Sequence, residues 1–176
     1  MMFALQAAIF MVLSGMAYQD FRYRGIYWWM FPLLSVLLIF SGLLIVSLET
    51  MVFSAIKSCL FVVVQLLILT AYLSLKEKQL INILTGFFGL GDLLFLVAIS
   101  TRLSFLNYVM FYIVSLMLVI LFSIIFIRKS NAKAYKIPLA GYQAIFLMLL
   151  MLVEWFVPKM SLFSDDLLNN FLCYGN

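Results

Sequence analysis

Histidine is absent from this 176-residue chain, cysteine occurs twice, proline three times, and only 10% of the residues are charged. Each scarcity closes a route. Without imidazole there is no Ser-His or Cys-His nucleophile, no HExxH zinc protease and no His-ligated haem. The two cysteines, Cys59 in an apolar run and Cys173 near the C-terminus, cannot build a thiolate metal site and read as membrane filler and a tail thiol. Chemistry in this chain is therefore expected to run without metal or cofactor. The sequence also shows no internal repeat, low-complexity stretch or interdomain linker.

Hydrophobic residues make up 67% of the chain and the mean hydropathy is +1.20, whereas a soluble domain is about half apolar. This composition is that of an integral membrane protein. A spanning helix needs roughly 20 apolar residues, so the length allows at most about six or seven spans and no second domain. Six apolar segments stand out, at about 2–19, 27–48, 51–75, 86–100, 105–127 and 138–157. The expectation is an all-α, polytopic bundle of about six transmembrane helices over residues 1–160, with a short polar tail at 161–176. Its connectors are short, so successive helices are antiparallel neighbours. The N-terminal stretch lacks the basic region and small-residue cleavage site of a removable signal, and reads as a retained first span. The fourth segment is too short to span without the glycine-rich stretch before it.

The net charge of +4 mostly reports loop orientation in such a protein, not nucleic-acid binding. Arg22, Arg24, Lys76, Lys78, Arg128, Lys129, Lys133 and Lys136 fall in the first, third and fifth connectors; Lys57, Arg102 and Lys159 fall on the other side. The positive-inside tendency makes the richer side cytoplasmic and puts both termini outside. The basic run at 128–136 reads as an anchor to anionic headgroups of the bilayer.

Seven carboxylates can be weighed singly. Glu49, Glu77, Glu154, Asp165 and Asp166 lie in connectors, at a segment end or in the tail, and have solvated readings. Asp20 and Asp92 differ. The chain leaves the membrane at Asp20, goes out and back through two segments, and re-enters at Asp92, so both belong to one, cytoplasmic, face. A carboxylate at membrane depth is costly unless protonated, paired or facing a wet cavity. Two brought together can share a proton: one activates water as general base while its protonated partner polarises a carbonyl. The titration then belongs to the pair. Gly89 and Gly91 precede Asp92 in "GFFGLGD", where the missing Cβ atoms permit close approach of an extended substrate. Asp92 also opens a helix, whose dipole favours a negative charge there. Packing of small residues between helices is the plainer account of these glycines, although the spacing is not GxxxG.

These residues resemble the type IV prepilin peptidases and archaeal preflagellin peptidases, membrane aspartyl proteases of the GxGD type. The likeness is carried by "GLGD" at 89–92, by the first aspartate in "DFRYRGI", and by "IPLAG" at 137–141. It covers most of the six-span core. What it implies is an inner-membrane endopeptidase that cuts the basic leader from prepilin-like precursors on the cytoplasmic side, just before their apolar helix. Asp20 and Asp92 would be its catalytic pair, with Gly89 and Gly91 shaping the site. Larger bacterial members carry a cytoplasmic domain with two CxxC pairs and also N-methylate the product. This chain has no such pairs, which points to a peptidase-only form.

Arg22 and Arg24 follow Asp20 closely, where they can act on its charge, meet substrate backbone, or simply anchor the end of a span. Tyr23, Tyr27, Trp28 and Trp29 read as an interfacial aromatic belt. Pro138 fits the first turn of the last helix, and the glycine three residues later lets that helix approach the site. Ser54 and Lys57 have the spacing of a Ser-Lys dyad, set against a lysine that snorkels to the interface. Two further functions compete with proteolysis: a proton-coupled transporter relaying protons through its carboxylates, and a non-catalytic subunit of a pilus or secretion assembly. The sequence names neither the precursors nor the oligomeric state.

Overall fold

The computed structural model describes residues 2–78, 89–127, 138–157 and 161–163. Among them are six helices and no strand: α1 (Met2–Tyr23), α2 (Met30–Leu43), α3 (Leu48–Glu77), α4 (Leu90–Ile99), α5 (Phe105–Ile127) and α6 (Leu139–Phe156). Gly86, Arg128, Lys129, Lys133, Lys136, Ile137, Lys159, Asp165, Asp166 and Cys173 lie outside the described residues, as does the Glu77 side chain.

Four helices, α1, α3, α5 and α6, are long and apolar enough to cross a membrane. The other two are shorter than the apolar segments that announced them. With 14 and 10 residues, α2 and α4 extend about 21 and 15 Å, less than the roughly 30 Å of a hydrocarbon core. Local hydrogen bonds set these ends. The Gly42 carbonyl accepts from both Ile45 and Val46 N–H at 2.9 Å, which closes α2 into a turn. Ser47 then caps α3 by accepting from Thr50 N–H at 3.4 Å. At the end of α4 the hydroxyls of Ser100 and Thr101 fold back onto the Val97 and Ala98 carbonyls at 2.7 and 3.1 Å. Ser104 starts α5 at once, accepting Asn107 N–H on its side chain and Tyr108 N–H on its carbonyl.

The core is built where α1 packs on α2 and α6, α2 on α4, and α4 on α6; α5 lies against α6, and α3 against α5. Ile9, Leu13 and Met16 of α1 meet Leu34 and Leu38 of α2, Phe95 and Ile99 of α4, and Leu147 of α6 there. Tyr108 is wholly buried and donates its hydroxyl to the Leu96 carbonyl at 3.1 Å, so the phenol is satisfied without water. Outside, the distribution is inverted relative to a soluble protein: Phe40, Phe53, Leu67, Leu75 and Ile120 are exposed. Exposed apolar side chains along these helices are suited to lipid. Tyr23, Tyr27, Trp28 and Trp29 are exposed where α1 turns into α2, the arrangement anticipated for an aromatic belt.

One end of the bundle gathers the end of α1 and the starts of α4 and α6; the other gathers the ends of α4 and α6. At this second end Arg102, only 2% exposed, forms an ion pair with Glu154. The solvated reading of Glu154 is thereby corrected. Its other oxygen accepts from Leu162 N–H at 3.0 Å, and the Leu162 carbonyl accepts from Ser104 N–H and Asn107 Nδ2, each at 3.0 Å. The Phe163 ring lies 4.5 Å from the Arg102 guanidinium. Residues 161–163 are thus latched to the bundle by a buried charge pair.

Candidate active site

Helix α6 explains how two carboxylates come to share one place. The first N–H groups of any helix lack intrahelical acceptors and are usually met by a side chain at the N-cap. Here the N-cap residue is Pro138, which offers no side-chain acceptor, one position earlier than the first-turn placement expected. Two other helices supply what is missing. Ala140 N–H donates to Asp92 Oδ1 at 2.9 Å, and Gly141 N–H donates to Asp20 Oδ2 at 2.7 Å.

Consecutive residues of a chain are about 3.8 Å apart at Cα, so the two carboxylates hang side by side on one helical turn. The charge of Asp20 acts on Asp92 directly. Asp20 is 7% exposed and Asp92 half-buried. The positive end of the α6 dipole faces both. The two amides and the dipole favour negative charge here, as a bound metal ion would. Among the described residues no group of three or more Asp, Glu, Cys or His could hold one.

The glycines near the pair differ in what they do. A Cβ built on Gly141 would lie 3.1 Å from Asp20 Oδ2, 3.3 Å from Asp20 Cβ and 3.2 Å from Phe21 Cε2. Only a residue without a side chain lets Asp20 reach the Gly141 amide undisturbed. At Gly89 the Cβ would meet Asp92 Oδ2 at 2.7 Å. Gly89 is the N-cap of α4; its carbonyl accepts from Asp92 N–H at 3.0 Å and its own N–H donates to the Asp92 carboxylate. Gly91 is another matter, because a Cβ there would make an ordinary 3.6 Å contact with Phe31. Of the two glycines expected to shape the site, Gly89 is the one where a side chain would crowd the Asp92 carboxylate, whereas one at Gly91 would rest on Phe31.

Arg24 ends α1 with φ at +56°, a left-handed conformation that glycine usually supplies. Its N–H donates to the Asp20 carbonyl at 3.0 Å, and its guanidinium acts on the Asp20 carboxylate. Arg22 is exposed and turned to the surroundings. The rival Ser54 and Lys57 are not joined by a hydrogen bond among the described residues; Lys57 Nζ sits 4.4 Å from the Phe53 ring centroid, as an interfacial lysine does.

The backbone amides of Ala140 and Gly141 are the part of the site that sequence reasoning missed. A backbone donor has no residue signature; the only trace was proline and glycine three apart in "IPLAG". Comparisons of the chain with protein families, with curated proteins and with solved structures find no match in any of the three.

Proposed function

We propose that the protein is a membrane aspartyl endopeptidase of the prepilin-peptidase kind. It removes the basic leader of precursors that continue into an apolar helix, and it does so at the cytoplasmic face of the inner membrane. The observation that carries this reading is that Asp20 and Asp92 accept hydrogen bonds from consecutive amides of one helix. In that geometry one carboxylate takes a proton from water as the water attacks the scissile carbonyl. Its protonated partner donates to the carbonyl oxygen. Collapse of the tetrahedral species passes a proton to the leaving amine and restores the shared proton.

The orientation is supported by the sequence, in which eight of the eleven basic residues fall in the connectors assigned to the side of the pair. Methyl transfer is not part of the proposal. A second reading has its own support, since two carboxylates that cap a helix also suit an assembly subunit without activity. Asparagine separates the two: its side-chain oxygen still accepts from an N–H, but it cannot share a proton. Co-expression of a prepilin-like substrate with Asp20→Asn or Asp92→Asn, in membrane-inserted form, is expected to leave the leader uncut. Full processing by either variant would reject the protease.

A further inference from the structure

Gln143 lies one helical turn beyond Ala140 on α6 and is 0% exposed. Its Nε2 donates to Ser115 Oγ at 3.4 Å, and the Ser115 hydroxyl donates to the Tyr112 carbonyl at 3.0 Å. Tyr112 in turn bonds the Gln65 side chain through its hydroxyl. A polar seam therefore links α3, α5 and α6 inside a bundle that is otherwise hydrocarbon, and it ends on an unmet group. Gln143 Oε1 has no hydrogen-bond partner among the described residues.

Turning the amide over does not remove the deficit. The Ser115 proton would have to leave its carbonyl to meet the oxygen, and the two N–H donors would then be unpaired instead. An unmet amide inside a membrane bundle is unfavourable, and leucine would be the better residue there if packing were all that mattered. The group is neutral, so it selects neither a metal ion nor an anion. What suits it is a small hydrogen-bond donor that can also reach a second polar atom, and Ser115 Oγ retains an acceptor site for one.

We infer that Gln143 and Ser115 bind a water molecule inside the bundle, about one turn deeper than the aspartate pair, and that this water exchanges with solvent at the pair. Hydrolysis consumes one water for each bond cut, and a water held about one turn from the carboxylates would supply it; that use rests on the protease reading, whereas the binding site does not.

The test is chemical access. In a Cys59→Ser, Cys173→Ser background, Gln143→Cys, Ser115→Cys and Leu147→Cys are each exposed to silver ion, which is close to water in size and blocks thiols. Unblocked thiols are then alkylated after denaturation. Leu147 is also 0% exposed and lies one turn deeper still, so it reports a dry position. Cysteines at 143 and 115 are expected to be blocked at least tenfold faster than cysteine at 147. Equal rates at all three would overturn the inference. Ser115→Cys, nearly isosteric, carries the test if Gln143→Cys does not fold. Because silver access needs no proteolysis, its failure and the failure of the aspartate variants in the cleavage assay are independent results.

Discussion

Asp20 and Asp92, 72 residues apart in sequence, bind adjacent amides of α6, at 2.7 Å to Gly141 and 2.9 Å to Ala140. Each carboxylate thus caps α6, and on the protease reading it also reacts, two roles that substitution can separate. Asparagine keeps the acceptor oxygen and loses the ionisable group; alanine loses both. Asp20→Ala is expected to lower stability by about 0.5–2 kcal/mol, the range for a lost helix cap, and Asp20→Asn by less, as read from thermal unfolding in detergent. Activity should fall by about 10²-fold or more in both. Equal destabilisation by alanine and asparagine would show that the cap depends on charge.

The two glycines of "GLGD" should not behave alike. Gly89→Ala puts a methyl 2.7 Å from Asp92 Oδ2, so the carboxylate must move, whereas Gly91→Ala makes a normal contact with Phe31. Displacement of a reacting group by even 1 Å can reduce the rate by about 10². We expect leader cleavage to drop by that order in Gly89→Ala. Gly91→Ala should cut within about threefold of the parent and gain up to about 1 kcal/mol of helix stability. Reversal of that order in a cleavage time course would contradict the geometry.

Gly141→Ala presses on Asp20 from the other side, with clearances of 3.1 to 3.3 Å. These gaps are tight without being impossible, so the helix should form and the aspartate should shift by a few tenths of an ångström. The expected outcome is a protein that inserts and unfolds within about 1–2 kcal/mol of the parent but loses most of its turnover. Measuring melting temperature and turnover on one preparation checks both halves.

At the opposite end, removing one partner of the buried Arg102 and Glu154 pair leaves an uncompensated charge. Glu154→Ala is expected to destabilise by about 3–5 kcal/mol, and the double variant Arg102→Met, Glu154→Leu to recover most of that loss. The Glu154 carboxylate also holds the Leu162 amide, so protease nicking near residues 161–163 should rise in the single variant. A single variant as stable as the parent would mean that the pair is hydrated.

How much of this could be read beforehand varies by element. α1, α3, α5 and α6 announce themselves as long apolar runs, and the common face of Asp20 and Asp92 follows from connectivity alone. The ends of α2 were hidden because Leu44, Ile45 and Val46 are as apolar in a turn as in a helix. Hydropathy cannot distinguish the two, and the Gly42 carbonyl decides. Arg102 and Glu154 looked like separate interfacial charges since each sits at a segment end, and nothing local to either reveals a partner 52 residues away. The α6 amides left still less trace. Main-chain donors are present at every non-proline residue, and only the fold shows which two meet the aspartates.

If the aspartate pair hydrolyses a peptide bond, purified protein in liposomes will show it. A synthetic precursor carrying a basic leader and an apolar helix is added, and the products are weighed by mass spectrometry for the parent, Asp20→Asn and Asp92→Asn. The parent should release the leader as a single fragment, with solvent oxygen in its new carboxyl group when the reaction runs in labelled water, and both variants should release none. Cleavage that survives in either asparagine variant, or a parent that cuts nothing while folded, would contradict the account.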